Sequence, residues 1–350
     1  MAQLGTLEEL PDEYLSELKQ RHMAPLWPSL RSMVPHGAPQ PNTQPTLWSY
    51  NALRPLLLQA GELTPIEKAE RRVLMFCNPG LGFENAMATP SIYLGMQLIL
   101  PGETAPNHRH TPSAIRFVVE GQGGFTMVEG EKLIMEPGDL ILTPSGLWHE
   151  HGHEGDGPVV WLDALDLPVV WRMEASYAIE GESQGSTGGP DASQTDYRRS
   201  GLMPYDALRR APNPYPMLRY PWREVRATLH EVAASRGADE LVHLAYVNPE
   251  TGEECLPIMG FSAIMLRPGE ERRLARRSCS AVMHGIEGQG QAQVNGVGLN
   301  WEARDTWAIP PHAEITIRNG SSSVPAFIFL IDDAPMQRRL GYYEEFSENA

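Results

Sequence analysis

His108 and His110 stand one residue apart in "PGETAPNHRH", just ahead of an apolar run, "AIRFVVEG", that carries a single arginine, Arg116. Residues i and i+2 of an extended strand point to the same face, so both imidazoles can be offered to one point inside a barrel. A third donor, His149, follows "PGDLILTPSGLWH", a turn, a strand and a second turn that can return it to the same interior. Three neutral nitrogen donors suit iron, manganese, zinc, copper or nickel, and leave positions open for substrate and oxygen. Five of the eleven histidines fall between residues 108 and 153, a clustering that favours a site over scattered surface or core histidines. The segment "HEHGH", residues 149 to 153, also fits the H-E-x-x-H zinc-protease pattern, but that chemistry needs both histidines on one face of a helix. Pro144, Gly146, Gly152, Gly155 and Pro158 leave no helix of useful length there.

The elements that must position these residues are strands. From about residue 90 the chain reads as short β-branched runs punctuated by Gly, Pro and Asp, such as "IRFVVEG", "DLILTPSG" and "VVWLDAL", which predicts a small all-β barrel. Upstream, "TLEELPDEYLSELKQRH" has helical spacing, and the Pro-rich arm from Met23 to Tyr50 is too broken for long helices and is expected to drape over a barrel. The polar stretch "EGESQGSTGGPDASQTD", residues 180 to 196, reads as an exposed linker. Beyond it the strand texture resumes, and "PGETAPNHRHTPSAIRFVVEGQG" at 101 to 123 aligns without gaps to "PGEERRLARRSCSAVMHGIEGQG" at 268 to 290. Self-similarity of this kind implies a duplicated domain. After one gap, "GDLILTPSGLWHEH" at 138 to 151 aligns to "RDTWAIPPHAEITI" at 304 to 317. His108, His110 and His149 then face Ala275, Arg277 and Ile315, and Arg116 faces Met283. One copy kept the polar cluster and the other lost it.

Composition narrows the partners. The 350 residues, 41% of them hydrophobic, support a substantial core in one large or two ordinary domains. With 28 Lys and Arg against 44 Asp and Glu, the net charge of -16 disfavours nonspecific binding to nucleic acid or anionic membranes. A small-molecule partner is expected. Cys77, Cys255 and Cys279 are odd in number and far apart, which argues against a disulfide framework and for a reducing compartment. The acidic start "MAQLGTLEEL" has no long apolar run, so a cytoplasmic location without signal peptide or membrane helix is expected.

The two motifs "PGETAPNHRH" and "GDLILTPSGLWH" resemble the signatures of the cupin barrel, and their duplication resembles a bicupin. More narrowly, "CNPGLG", "LGMQLILPGETAPNHRH", "RFVVEGQG" and "WLDALDLP" resemble the gentisate 1,2-dioxygenase family, which includes salicylate and 1-hydroxy-2-naphthoate ring-cleaving enzymes. The resemblance implies an N-terminal helical and covering arm over residues 1–89, a catalytic barrel over 90–178, a linker over 179–225, a degenerate barrel over 226–335 and a tail over 336–350. It also implies one Fe(II) per chain held by His108, His110 and His149. No carboxylate lies between Thr111 and Phe117, where many cupins supply a glutamate, as in the ring-cleaving members. A neutral ligand set leaves the metal its full charge for an anionic chelating substrate. Arg116, alternating with apolar neighbours, is expected to pair a substrate carboxylate in the barrel. By the same resemblance Arg71 is a second substrate-binding arginine, His151 and Asp163 are catalytic residues that orient substrate or handle its phenolic proton, and Tyr93 and Gln97 line the pocket. The implied reaction inserts both atoms of O2 into gentisate, opening the ring between the carboxyl- and hydroxyl-bearing carbons to maleylpyruvate, in a homotetramer. Salicylates or 1-hydroxy-2-naphthoate are alternative substrates. A non-catalytic ligand-binding cupin and a metal-dependent isomerase or decarboxylase are the alternatives of other classes.

Overall fold

The computed structural model describes residues 4–183 and 185–346. Gln184 of the expected linker, the first three residues of the arm and the last four of the tail lie outside the described residues. The chain divides at Asn42. The N-terminal unit carries short helices at Leu7–Glu9, Asp12–Gln20 and Leu30–Met33, the second with Asp12 and Glu13 in its first turn, where the helix dipole favours acids.

From Thr43 onward the chain forms two antiparallel barrels, each a large sheet facing a smaller one. The first large sheet runs Arg219–Tyr220, Leu140–Thr143, Ala114–Glu120, Val159–Leu165, Tyr93–Ile99 and Arg72–Met75. Its smaller partner runs Ala178–Glu180, Thr104–His110, His149–His153, Gly124–Val128 and Glu131–Ile134. The second barrel repeats this order with Thr46–Trp48, Thr306–Ile309, Ala281–Glu287, Ala326–Asp332, Gly260–Leu266 and Val242–Ala245, opposite Glu271–Leu274, Ile315–Asn319, Gln289–Val294 and Val297–Glu302. The strand "AFIFLID" is apolar almost throughout because both of its faces are buried, as in a sheet covered on each side. Phe117 of one large sheet stacks on Phe329 of the other, ring centroids 4.2 Å apart.

Duplication extends further than the aligned motifs, and the edge strands are exchanged. Thr46–Trp48, from the N-terminal side of the first barrel, pairs with Thr306–Ile309 of the second. Arg219–Tyr220, which leads into the second barrel, pairs with Leu140–Thr143 of the first. Each exchanged strand runs into a 14-residue helix, Tyr50–Leu63 or Trp222–Ser235. The first amide of each helix donates to a buried aspartate of a barrel turn, Tyr50 to Asp305 and Trp222 to Asp139, both at 2.8 Å. Leu57 and Leu229, at matching places on these helices, are fully buried. Arg54 clamps Glu120 and Arg226 clamps Glu287 in equivalent two-oxygen contacts.

Residues 180–183 and 185–190 are exposed, as a linker would be, but the segment is anchored at its flanks: Ala178–Glu180 extends the sheet that carries the histidines, Arg219–Tyr220 joins the large sheet, and Arg219 bridges Asp139, Asp191 and Glu136. Backbone donors and acceptors on sheet edges find partners there, which polarity alone does not reveal. Part of the expected N-terminal arm belongs to the barrels themselves, since Thr46–Trp48 is a strand of the second and Arg72–Met75 a strand of the first. "HEHGH" is a strand, as its glycine and proline neighbours require.

Candidate metal centre

His108 and His110 project from Thr104–His110, and His149 opens the next strand of the same sheet, directly opposite His108. The pairing slips between Ala105 and His108. Pro106 lies within the slip and has no N–H for the ladder, so a bulge forms there and re-aims the strand end. The three imidazoles converge, with ligand atoms all within 4.8 Å of one another and ring centroids 4.1 to 5.2 Å apart.

The donor set fits a divalent metal. Each Nδ1 lies beside a backbone carbonyl: His108 to Pro106 at 3.1 Å, His110 to Pro112 at 2.7 Å and His149 to Leu147 at 2.9 Å. An Nδ1–H donating to a carbonyl leaves the Nε2 lone pair for a metal, and Nε2 of His149 is buried without a partner. Burial holds the rings neutral, lowering His108 to about 3 and His110 to about 4 and His149 well below its ordinary value, with Arg116 adding to each shift. Metal binding requires that neutral form.

Of the polar residues expected from the sequence, Arg71 and His151 lie against the triad, Arg116 bears on it electrostatically and Asp163 lies beside Arg116. Arg116 is 3% exposed, donates from one terminal nitrogen to the Thr143 hydroxyl, and keeps its Nε without a hydrogen bond. Asp163 sits across the strand pair at 3.8 Å from that Nε and accepts from the indole of Trp161 at 3.0 Å. Burial raises Asp163 to about 6, against the opposing pull of Arg116, and burial lowers Arg116 to about 10. Arg71 is half-buried and reaches Nδ1 of His108 at 2.7 Å, so Arg71 and the Pro106 carbonyl compete for one nitrogen. Arg71 and Arg72 alternate: Arg72 turns away to Glu103 and the Gly61 carbonyl. His151 is 1% exposed, and Gln97 is buried opposite Trp161. Tyr93 is half-buried, and a Cβ built on Gly95 would run into a Val73 methyl and lie 2.9 Å from the Tyr93 hydroxyl, so a side chain there would crowd both.

Thr126, Thr143 and Trp161 escaped the sequence reading, although the repeat carries a signal for them. At matching register places the second barrel holds Ala292 beside Ile317 where the first holds Thr126 beside His151. It holds Met283 beside Leu330 where the first holds Arg116 beside Asp163. Met283, Ala292, Trp301, Ile315, Ile317 and Leu330 belong to one apolar cluster that fills the second barrel. Among the described residues the only cluster of three or more possible metal donors is His108, His110 and His149.

A cupin domain model matches residues 95–165, the strands that hold this cluster. A gentisate 1,2-dioxygenase of Ralstonia sp. is 53% identical over 98% of this chain and 96% of that protein. A 5-aminosalicylate 1,2-dioxygenase of Comamonas sp. is 39% identical over 96% of this chain and 91% of its own length. The crystal structure of salicylate 1,2-dioxygenase from Pseudoaminobacter salicylatoxidans, as an adduct with gentisate, superposes with a TM-score of 0.89 at 29% identity, covering 100% of this chain and 96% of that one. Near-complete coverage at this identity, on two barrels of which one carries a three-histidine cluster, places the chain in the gentisate 1,2-dioxygenase family of bicupin ring-cleaving dioxygenases.

Proposed function

We propose that the protein opens the ring of gentisate with O2 to give maleylpyruvate, using one Fe(II) per chain held by His108, His110 and His149. The carrying observation is the contrast between barrels: a neutral histidine triad and a buried, under-partnered arginine in one, apolar side chains at the same register places in the other. Bound at the triad, Fe(II) supplies Lewis acidity toward the ring's acidic substituents and the one-electron chemistry that reaction with O2 requires. The chain's own residues do the rest. Nδ1 of His108 cannot donate to Pro106 and accept from Arg71 at once, so a ligand role for its Nε2 goes with the Pro106 bond and frees Arg71 for an anion. Arg116, fully desolvated, offers its idle Nε to the substrate carboxylate, and Asp163 holds the guanidinium at the edge of that position. His151 presents Nε2, buried and without a partner, to a ring hydroxyl. Tyr93 and Gln97 form the wall against which the ring lies.

Gentisate rather than salicylate is favoured by the 53% identical relative named for it. A homotetramer is supported by the family and by the exposed apolar side chains Leu63, Phe83, Trp171 and Met173, and sedimentation of the purified protein tests it. Among the described residues no helix is long and apolar enough to cross a membrane, and the three cysteines are unpaired, which supports a cytoplasmic enzyme. The deciding experiment loads the protein with Fe(II) and follows O2 uptake and ring-opened product with gentisate, salicylate and 1-hydroxy-2-naphthoate. Absence of O2 uptake and ring-opened product with gentisate would refute the proposal, whatever the other two substrates do.

A further inference from the structure

His151 is held from behind by a residue no motif points to. Thr126, 0% exposed, lies directly opposite it in the strand pair, its hydroxyl 3.0 Å from His151 Nδ1 and 3.7 Å from the sulfur of Met135. A hydroxyl has one proton to give. We infer that Thr126 is a positioning residue: it directs its proton to Met135 and accepts from His151 Nδ1–H, so that His151 turns a bare Nε2 lone pair into the substrate cavity.

Two observations favour this direction of the bonds. The Met135 sulfur can only accept, so it gives the Thr126 proton a place while leaving the hydroxyl oxygen free to receive Nδ1–H. The ring's surroundings are cationic: the His151 and His149 ring centroids are 5.9 Å apart, His149 belongs to the cluster that could hold a metal cation, and Arg116 and Arg71 add their charge to the burial that keeps His151 neutral. An imidazole dipole is stabilised with its lone pair toward such charge and destabilised with an N–H toward it. The second barrel is the internal control. Where His151 has become Ile317, Thr126 has become Ala292 and Met135 has become Trp301, all three buried, so hydroxyl and sulfur are absent where the imidazole is absent. A threonine needed only for packing has no reason to follow the histidine.

This inference rests on the reading of His151 as the group that meets the ring hydroxyl, and the experiment separates the two. Thr126→Val, of nearly the same shape, and Thr126→Ala, the residue the second barrel carries, are compared with Thr126→Ser and with His151→Ile, each alone and with Thr126→Val. Metal content and melting temperature are measured throughout. Thr126→Val and Thr126→Ala should keep their metal but lose at least about tenfold in kcat for gentisate, part of what a positioned acid or base contributes. Thr126→Ser should recover most of that loss, and Thr126→Val should cost nothing further once His151 is isoleucine. In the zinc-loaded protein, nitrogen-15 shifts of the His151 ring should report the Nδ1–H tautomer. Wild-type turnover in Thr126→Val, an equal loss in the His151→Ile background, failure of serine to recover, or an Nε2–H tautomer in the wild type would each overturn the inference. Unchanged turnover in His151→Ile would instead overturn the reading of His151 itself, and the inference with it.

Discussion

Replacing Arg116 by methionine puts into the working barrel the residue that the second barrel carries at the same register place, Met283 beside Leu330, so the change is sterically precedented within the molecule. Arg116 is 3% exposed, and of its nitrogens Nε has no hydrogen bond while Asp163 stands off at 3.8 Å. A substrate carboxylate would meet a desolvated donor that no tight protein partner already satisfies. A charge-assisted hydrogen bond of this kind is worth about 1.5 to 3 kcal/mol, so the affinity for gentisate should fall by roughly one to two orders of magnitude. The substitution strands Asp163, but burial already holds that carboxyl at about 6. Losing the Arg116 charge pushes it further toward the neutral form, so it can be protonated near neutral pH at small cost and the fold should survive. Arg116→Lys should recover only part of the loss, because a point charge lacks the planar fork. The assay is metal content together with anaerobic titration of gentisate. Unchanged affinity with unchanged metal would refute the pairing, leave Arg116 as a partner of Asp163 and Thr143 alone, and pass the carboxylate to Arg71 or the metal.

Three further outcomes are expected. His108→Ala, His110→Ala and His149→Ala should each strip the metal and abolish turnover, whereas His312→Ala, in the second barrel, should leave both near wild type; full metal content in any of the first three would refute the ligand set. Ile317→Ala, in the apolar interior of the second barrel, should cost about 2 to 5 kcal/mol of stability while the folded fraction keeps its kcat, and a selective loss of kcat would contradict the division of labour. Asp166 accepts from the Ser113 amide in the first barrel as Asp333 does from Ser280 in the second, which marks both as scaffold. Burial raises Asp166 to about 7 from 3.8, so its protonated form favours the fold: stability is fully present below about 3.8 and is lost as pH rises through 7. Asp166→Asn should therefore stabilise the protein at pH 8 relative to wild type and do so less at pH 5, as read by melting temperature; an equal effect at both pH values would refute the shift.

The sequence by itself determined the period-two texture of the strands, the duplication, the common face of His108 and His110, and the absence of all three histidines from the second copy. These are local properties: alternation and His-x-His spacing set which side chains share a face whatever the strand later pairs with. Alternation also separates Arg71 from Arg72, but only the pairing with Tyr93–Ile99 shows which of them turns toward the metal site. Strand exchange was invisible because Thr46–Trp48 and Arg219–Tyr220 carry no signal for the barrel they join, and pairing partners far apart in the chain are chosen by the whole packed core. For the same reason Asp163 beside Arg116 and Thr126 behind His151 emerge only when register brings separate strands side by side. Tertiary structure decided which polar groups meet, because a hydrogen bond is a property of distance and direction, and sequence spacing sets these only within a single strand.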